Sequence, residues 1–151
     1  MADIYAATSQ TEEPIAAATR EVLLQITGIT TKQAKIVAWG ISLDGIDPVA
    51  APAIVELQLT STAGTSTAAT ITPLVPAAPA SGMTVARAFT AQPTAGANLE
   101  MHNVHPQGGM LIREYPPGRE PVISASTSYR LAIAVTCPSA VNASAWVHWE
   151  E

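Results

Sequence analysis

The last stretch of the chain, Tyr129 to Glu151 (YRLAIAVTCPSAVNASAWVHWEE), constrains the fold most. Leu131, Ile133 and Val135 alternate with smaller residues, the period of two that a half-buried strand requires. Cys137-Pro138-Ser139 interrupts the pattern, because Pro138 has no N–H to offer a ladder. Val141 to Trp149 resumes it, with Val147 and Trp149 on one face and Trp146 and His148 on the other. Two of the three tryptophans lie here, and each can bury roughly 150–250 Å². The stretch predicts two strands joined by a short turn, a terminal hairpin at the centre of an all-β core.

The rest of the chain repeats this grammar. Arg20 to Thr27 and Gln33 to Leu43 read as strands, the second with Lys35, Val37 and Trp39 on one face and Ile36, Ala38 and Gly40 on the other. Gly40 beside Trp39 marks a bulge or a close backbone approach. Asp44-Gly45 and Asp47-Pro48 signal a turn. Ala53 to Thr60 alternates, with Val55, Leu57 and Leu59 inward and Glu56 and Gln58 outward. Ser61 to Pro79 is rich in Thr, Ala, Ser and Pro. It has room for a short edge strand in Ala69 to Val75, where Pro73 blocks further pairing. Met83 to Thr90 fits a strand, with a short helix as the alternative; Leu99 to His105 and Met110 to Tyr115 read as further strands, and Arg119 to Ser124 crosses over. Eight or nine short strands with frequent turns and no long helix predict a two-sheet antiparallel sandwich, jelly-roll-like, over residues 20–151. Residues 1–19 form a separate segment, small and polar, in which only Ile4, Tyr5 and Ile15 can anchor anything. They are expected to be an extended N-terminal arm that orders on a neighbouring subunit, since ordering costs about 1–2 kcal/mol per residue and needs a surface.

Only 13% of the residues are charged, against about 25% in an ordinary soluble domain. So sparse an ionic exterior predicts surfaces covered by partners, and hence an oligomer or larger assembly. With 151 residues, one domain is expected. The net charge of −5 and seven scattered basic residues provide no footprint for a phosphate backbone, so no direct nucleic-acid contact is expected. No apolar run has the length of a membrane span, and the N-terminus lacks the pattern of a signal peptide. The expectation is synthesis in the cytoplasm.

Little in the chain points to chemistry. His102 and His105 are three apart, which on a strand places them on opposite faces, and Pro106 holds the second one extended. Joining them to Glu100 and His148 in a metal site is therefore disfavoured. There is no Gly-x-Ser-x-Gly elbow and no phosphate loop. Glu12-Glu13 and Glu150-Glu151 are terminal pairs, expected to be solvated. The single cysteine, Cys137, excludes an intrachain disulfide and reads as a buried inert thiol. No enzyme activity, cofactor or metal is predicted. Arg113, Arg119 and Arg130 lie among Glu114 and Glu120, a pattern of interstrand or intersubunit ion pairs.

An ordered set of motifs then brings in a family. Ala38-Trp39-Gly40-Ile41-Ser42-Leu43-Asp44-Gly45 is followed by Val55-Glu56-Leu57 and Gln92-Pro93-Thr94-Ala95-Gly96. Next come Val104-His105-Pro106-Gln107-Gly108-Gly109, Gly118-Arg119-Glu120-Pro121 and Arg130-Leu131, and last Ala140-Val141-Asn142 running to Trp149-Glu150-Glu151. Over residues 33–151 this order resembles a family of small virion structural proteins of tailed bacteriophages, mostly of actinobacterial hosts. The resemblance implies a head decoration, or cement, protein on the capsid exterior. Its partners would be the major capsid protein and further copies of itself, a trimer by analogy. It also implies interface residues: Ile4, Tyr5 and Ile15 as arm anchors, and Arg113, Arg119 and Glu120 as interface charges. Two other roles fit the same β-richness. One is a tail or head-fibre subunit. The other is a host-glycan-binding module using Trp39, Trp146 and Trp149.

Overall fold

The computed structural model describes residues 2–46 and 51–151; Asp47-Pro48 lies outside them. The described residues form two antiparallel sheets and no helix, the two-sheet β-sandwich expected. With strands numbered in chain order, sheet I runs β10 (Met110–Glu114), β4 (Ala34–Leu43), β13 (Val141–Glu150), β1 (Ile4–Thr8) and β7 (Ile71–Pro73). The short β11 (Val122–Ile123) adds to β4, and β2 (Glu13–Ile15) adds to β13. Sheet II runs β6 (Thr65–Ala68), β8 (Thr84–Ala91), β3 (Arg20–Thr27), β12 (Arg130–Thr136), β5 (Ala53–Thr60) and β9 (Ala95–Val104).

The terminal stretch is central, but it is not a hairpin. β12 pairs with β3 and β5 in one sheet, while β13 pairs with β4, β1 and β2 in the other. The Pro138 turn therefore carries the chain across the sandwich. Alternation declares which face of a strand is buried, not which strand lies beside it. Leu131, Ile133 and Val135 meet Val147 and Trp149 in a single core with Trp39 and Tyr5.

In β4 the expected faces hold only in part. Pairing steps from Ala38↔His148 to Ile36↔Trp149, so the ladder is irregular there. Such a bulge changes the parity of the strand, and Ile36 and Trp39 both reach the core. Gly40 is a site of close approach: a Cβ on it would lie 2.6 Å from the Trp146 ring.

The first nineteen residues do not extend away from the body. β1 inserts between β13 and β7, with Tyr5 opposite Trp149 and Pro73. β2 pairs Ile15 with Val141. Tyr5 and Ile15 are fully buried; Tyr5 stacks on Trp149 at 5.9 Å and its hydroxyl donates to Pro79 O at 3.0 Å. These anchors therefore serve the chain's own sheet, and the sandwich begins at β1 rather than at residue 20. The segment looks too polar to fold because its anchors are widely spaced. The exposed edge of β13 supplies the surface that its ordering requires.

The Thr-rich region also holds more structure than expected. β5 pairs with β9 and β6 pairs with β8 in matching order, so residues 53–68 and 86–104 form one long two-stranded ribbon. Its bend, at 61–64 and 92–94, lies over the outside of sheet II. There Gln25 donates to Thr60 Oγ1 and Thr62 O, the Val22 N–H donates to Gln92 Oε1, and Arg20 donates to Pro93 O. Beneath it Phe89 packs on Val22, Ala132 and Ala134, a second small apolar cluster. Gln58, expected outward, is buried. One outer face of the sandwich is thus roofed by the chain itself. The other, on sheet I, carries small residues around Trp146.

Candidate interaction surface

Among the described residues four strands end the main paths of the two sheets, and they differ in how they are guarded. β7 carries Pro73, which cannot donate to a further strand, and β6 is only four residues long. β9 is ten residues (AGANLEMHNV) with neither proline nor lysine. It shares one rim of the sandwich with β10 and β11. Most of the large apolar side chains exposed among the described residues collect here: Leu99 and Met101 (59% exposed) on β9, Met110 (66%) and Ile112 (51%) on β10, Val122 on β11, and Ile54 on the neighbouring β5. Leu74, beyond β7, lies at the opposite edge. Ile54, Leu99 and Met101 lie on the outer face of sheet II and Met110, Ile112 and Val122 on that of sheet I, so apolar side chains flank this rim on both sides. Scattered exposed apolar residues are ordinary, whereas such grouping beside an unguarded edge marks a candidate interaction surface.

A polar clamp holds the rim shut. Arg113 shares the inner face of β10 with Trp39 of β4, and Glu100 shares the inner face of β9 with Leu57 of β5. The two therefore meet between the sheets. Arg113 Nε and Nη2 donate to the two carboxylate oxygens of Glu100 at 2.9 and 3.0 Å, a planar bidentate pair that fixes orientation. His102 Nε2 lies 3.0 Å from Glu100 Oε2. The Trp39 indole N–H donates to the Tyr115 hydroxyl at 2.9 Å, and the Arg113 guanidinium sits 5.5 Å from the Tyr115 ring centre. The bonds from Arg113 hold the Glu100 carboxyl at about 2, against burial that pushes it up. Burial pushes the Tyr115 hydroxyl up to about 12.

A second carboxylate, Glu151, was expected in solvent but is buried at the end of β13. Burial pushes its carboxyl up. Bonds from the Ser81 hydroxyl, the Trp149 indole N–H and the backbone N–H groups of Gly82 and Met83 outweigh this, leaving it below the ordinary range. Both carboxylates are more acidic folded than unfolded. Their stabilisation is thus present above the ordinary value of 4.5 and is lost as pH falls below it, for Glu100 as pH nears about 2. Urea midpoints measured from pH 6 to pH 3 should fall for the wild type and fall less steeply for Glu100→Gln. Parallel curves would remove Glu100 from the acid response.

The expected site residues disperse. Ile4, Tyr5 and Ile15 belong to the body, as described. Arg113 makes an interstrand ion pair, as expected of it, and its partner is Glu100 of β9. Arg119 is exposed on the turn between β10 and β11, at the rim, and Glu120 accepts from the Gly118 N–H at 2.7 Å. Arg130 donates to Ser128 O. His105 accepts from the Gln107 N–H and does not join His102. Cys137 is buried, and burial pushes its thiol up to about 11. Among the described residues no group of three His, Cys, Asp or Glu is placed to hold a metal ion. Sequence reasoning named Glu100 only as a possible metal ligand; it did not foresee that Glu100, Arg113 and Tyr115 meet, and it missed the apolar rim. The one usable signal was the unguarded run Leu99 to Met101. Comparison with known proteins found no family model, no curated protein and no solved structure that matches this chain.

Proposed function

We propose that this chain is a bacteriophage head decoration protein that binds the outside of the capsid shell and bridges its subunits. The observation that carries the reading is the apolar rim of β9, β10 and β11, clamped by Glu100 and Arg113 on a body built entirely of strands. A cement protein must be stiff and must adhere. The doubly wrapped sandwich provides the stiffness, and the rim offers apolar area and open strand edges for the major capsid protein or for further copies of the chain. Arg119, exposed at the same rim, contributes charge selectivity more than affinity. Modest affinity per site suffices, because a shell presents many sites and trimeric association multiplies them.

The rim decides the matter experimentally. Met101→Asp with Ile112→Asp should keep the fold, since both side chains are already exposed, and should weaken co-sedimentation with emptied phage heads at least tenfold. That fold-change corresponds to about 1.4 kcal/mol. Leu74→Asp, at the opposite edge, should bind as the wild type does. Undiminished binding of the double variant rejects the rim as the docking face, and a wild type indifferent to heads rejects the function.

A further inference from the structure

We infer that the outer face of sheet I carries a second, separate site, a subsite for a neutral pyranoside centred on Trp146. The three indoles are not equivalent. Trp39 and Trp149 are fully buried, and their N–H groups are bonded to Tyr115 and Glu151. That removes both from any sugar platform. Trp146 is half-buried on the opposite face of β13, and among the described residues its N–H has no partner.

The sheet is arranged to support this ring. Gly40 lies directly opposite Trp146, and the absence of a side chain there lets the indole rest on the backbone, where a Cβ would come within 2.6 Å. Ser42, Ser144 and Ala38 keep the surrounding rows low, and His148 tilts against the indole at 4.8 Å between ring centres. Burial lowers the pKa of His148, which keeps the imidazole neutral at neutral pH. The turn after β1 forms a wall. It is braced by Gln10, at φ 65°, whose side-chain amide donates to Thr70 Oγ1 at 2.8 Å. Between wall and ring is an open cleft of about 310 Å³, lined by Thr8, Gln10, Thr11, Glu12, Ser144 and Trp146 among others.

Those groups select a class of ligand. No lysine or arginine lines the cleft, and it contains a carboxylate, so phosphates and carboxylates are disfavoured. An aromatic ring beside hydroxyl, amide and carboxylate groups suits a ring with C–H bonds on one face and hydroxyls on its edge. The indole stacks on the C–H face, while Glu12 and the indole N–H bond the hydroxyls. A quaternary ammonium would call for a cage of several aromatic rings around the cation. Trp146 and the tilted His148 make up only part of one.

The test follows the indole N–H resonances of the folded, full-length protein by nitrogen-correlated NMR. The probes are the methyl pyranosides of glucose, galactose, mannose and N-acetylglucosamine, with choline for comparison. At least one pyranoside should move the Trp146 signal saturably and leave those of Trp39 and Trp149 in place. Trp146→Ala should weaken binding of that sugar at least tenfold on a multivalent array, and Trp146→Phe less. If the alanine variant does not fold, the phenylalanine variant and the wild-type shifts still decide. The inference is overturned if no pyranoside moves the Trp146 signal, if all three indoles move together, or if choline alone does so.

Discussion

Removing residues 1–19 should unfold this protein rather than merely release it from a partner. The deletion exposes one long side of β13, strips the pairing of β7 and opens the core around Trp149. A single substitution reports the same dependence. Tyr5→Ala removes a fully buried ring, its stacking on Trp149 and its bond to Pro79 O. Truncating a buried aromatic costs about 3–5 kcal/mol, a large share of the about 5–15 kcal/mol that holds a domain folded. Tyr5→Phe loses only the hydroxyl bond and should cost about 1 kcal/mol. Urea denaturation followed by tryptophan fluorescence measures both. A truncated chain that melts cooperatively near the wild-type midpoint would show that β1 is dispensable.

The second large effect is expected at Gly109, in the connection from β9 to β10. A Cβ there would lie 1.9 Å from the carbonyl oxygen of His105 and 2.7 Å from Val104 Cγ1. The nearest atom is backbone, so no rotamer change relieves the clash and the whole turn must move. Gly109→Ala should therefore destabilise by more than about 3 kcal/mol, the range reserved for enforced backbone strain and lost core packing. The neighbouring Gly108 is an internal control. It has φ +65° but nothing near the added carbon, so Gly108→Ala should cost only about 1–2 kcal/mol from the left-handed conformation. Under the proposed head-binding role, co-sedimentation with phage heads should fall in step with Gly109→Ala, because this turn sets β9 against β10 across the rim. Equal effects of the two substitutions would contradict the geometry.

The interaction surface was hardly legible in the sequence. Glu100 reads as one candidate metal ligand beside the histidines, and Arg113 as a member of an interstrand or intersubunit ion pair whose partner is not specified. Residues next to one another on a strand point to opposite faces, so the partner of Arg113 had to come from another strand. Which one depends on β9 and β10 ending their respective sheets at the same rim. The roofing ribbon was hidden for a related reason. Thr65–Ala68 has no apolar alternation, because β6 is exposed along its length.

Period-two patterning, turn residues and the lack of helical periodicity established the all-β sandwich. They also marked the individual strands Arg20–Thr27 and Ala53–Thr60 at their observed limits. These are local properties, written in each segment's own residues. Pairing, sheet membership, the inward placement of Tyr5 and the exposure of Trp146 alone among the indoles came only with the three-dimensional arrangement. Each depends on which distant segment lies alongside, and backbone hydrogen bonds between strands are the same whatever residues they join.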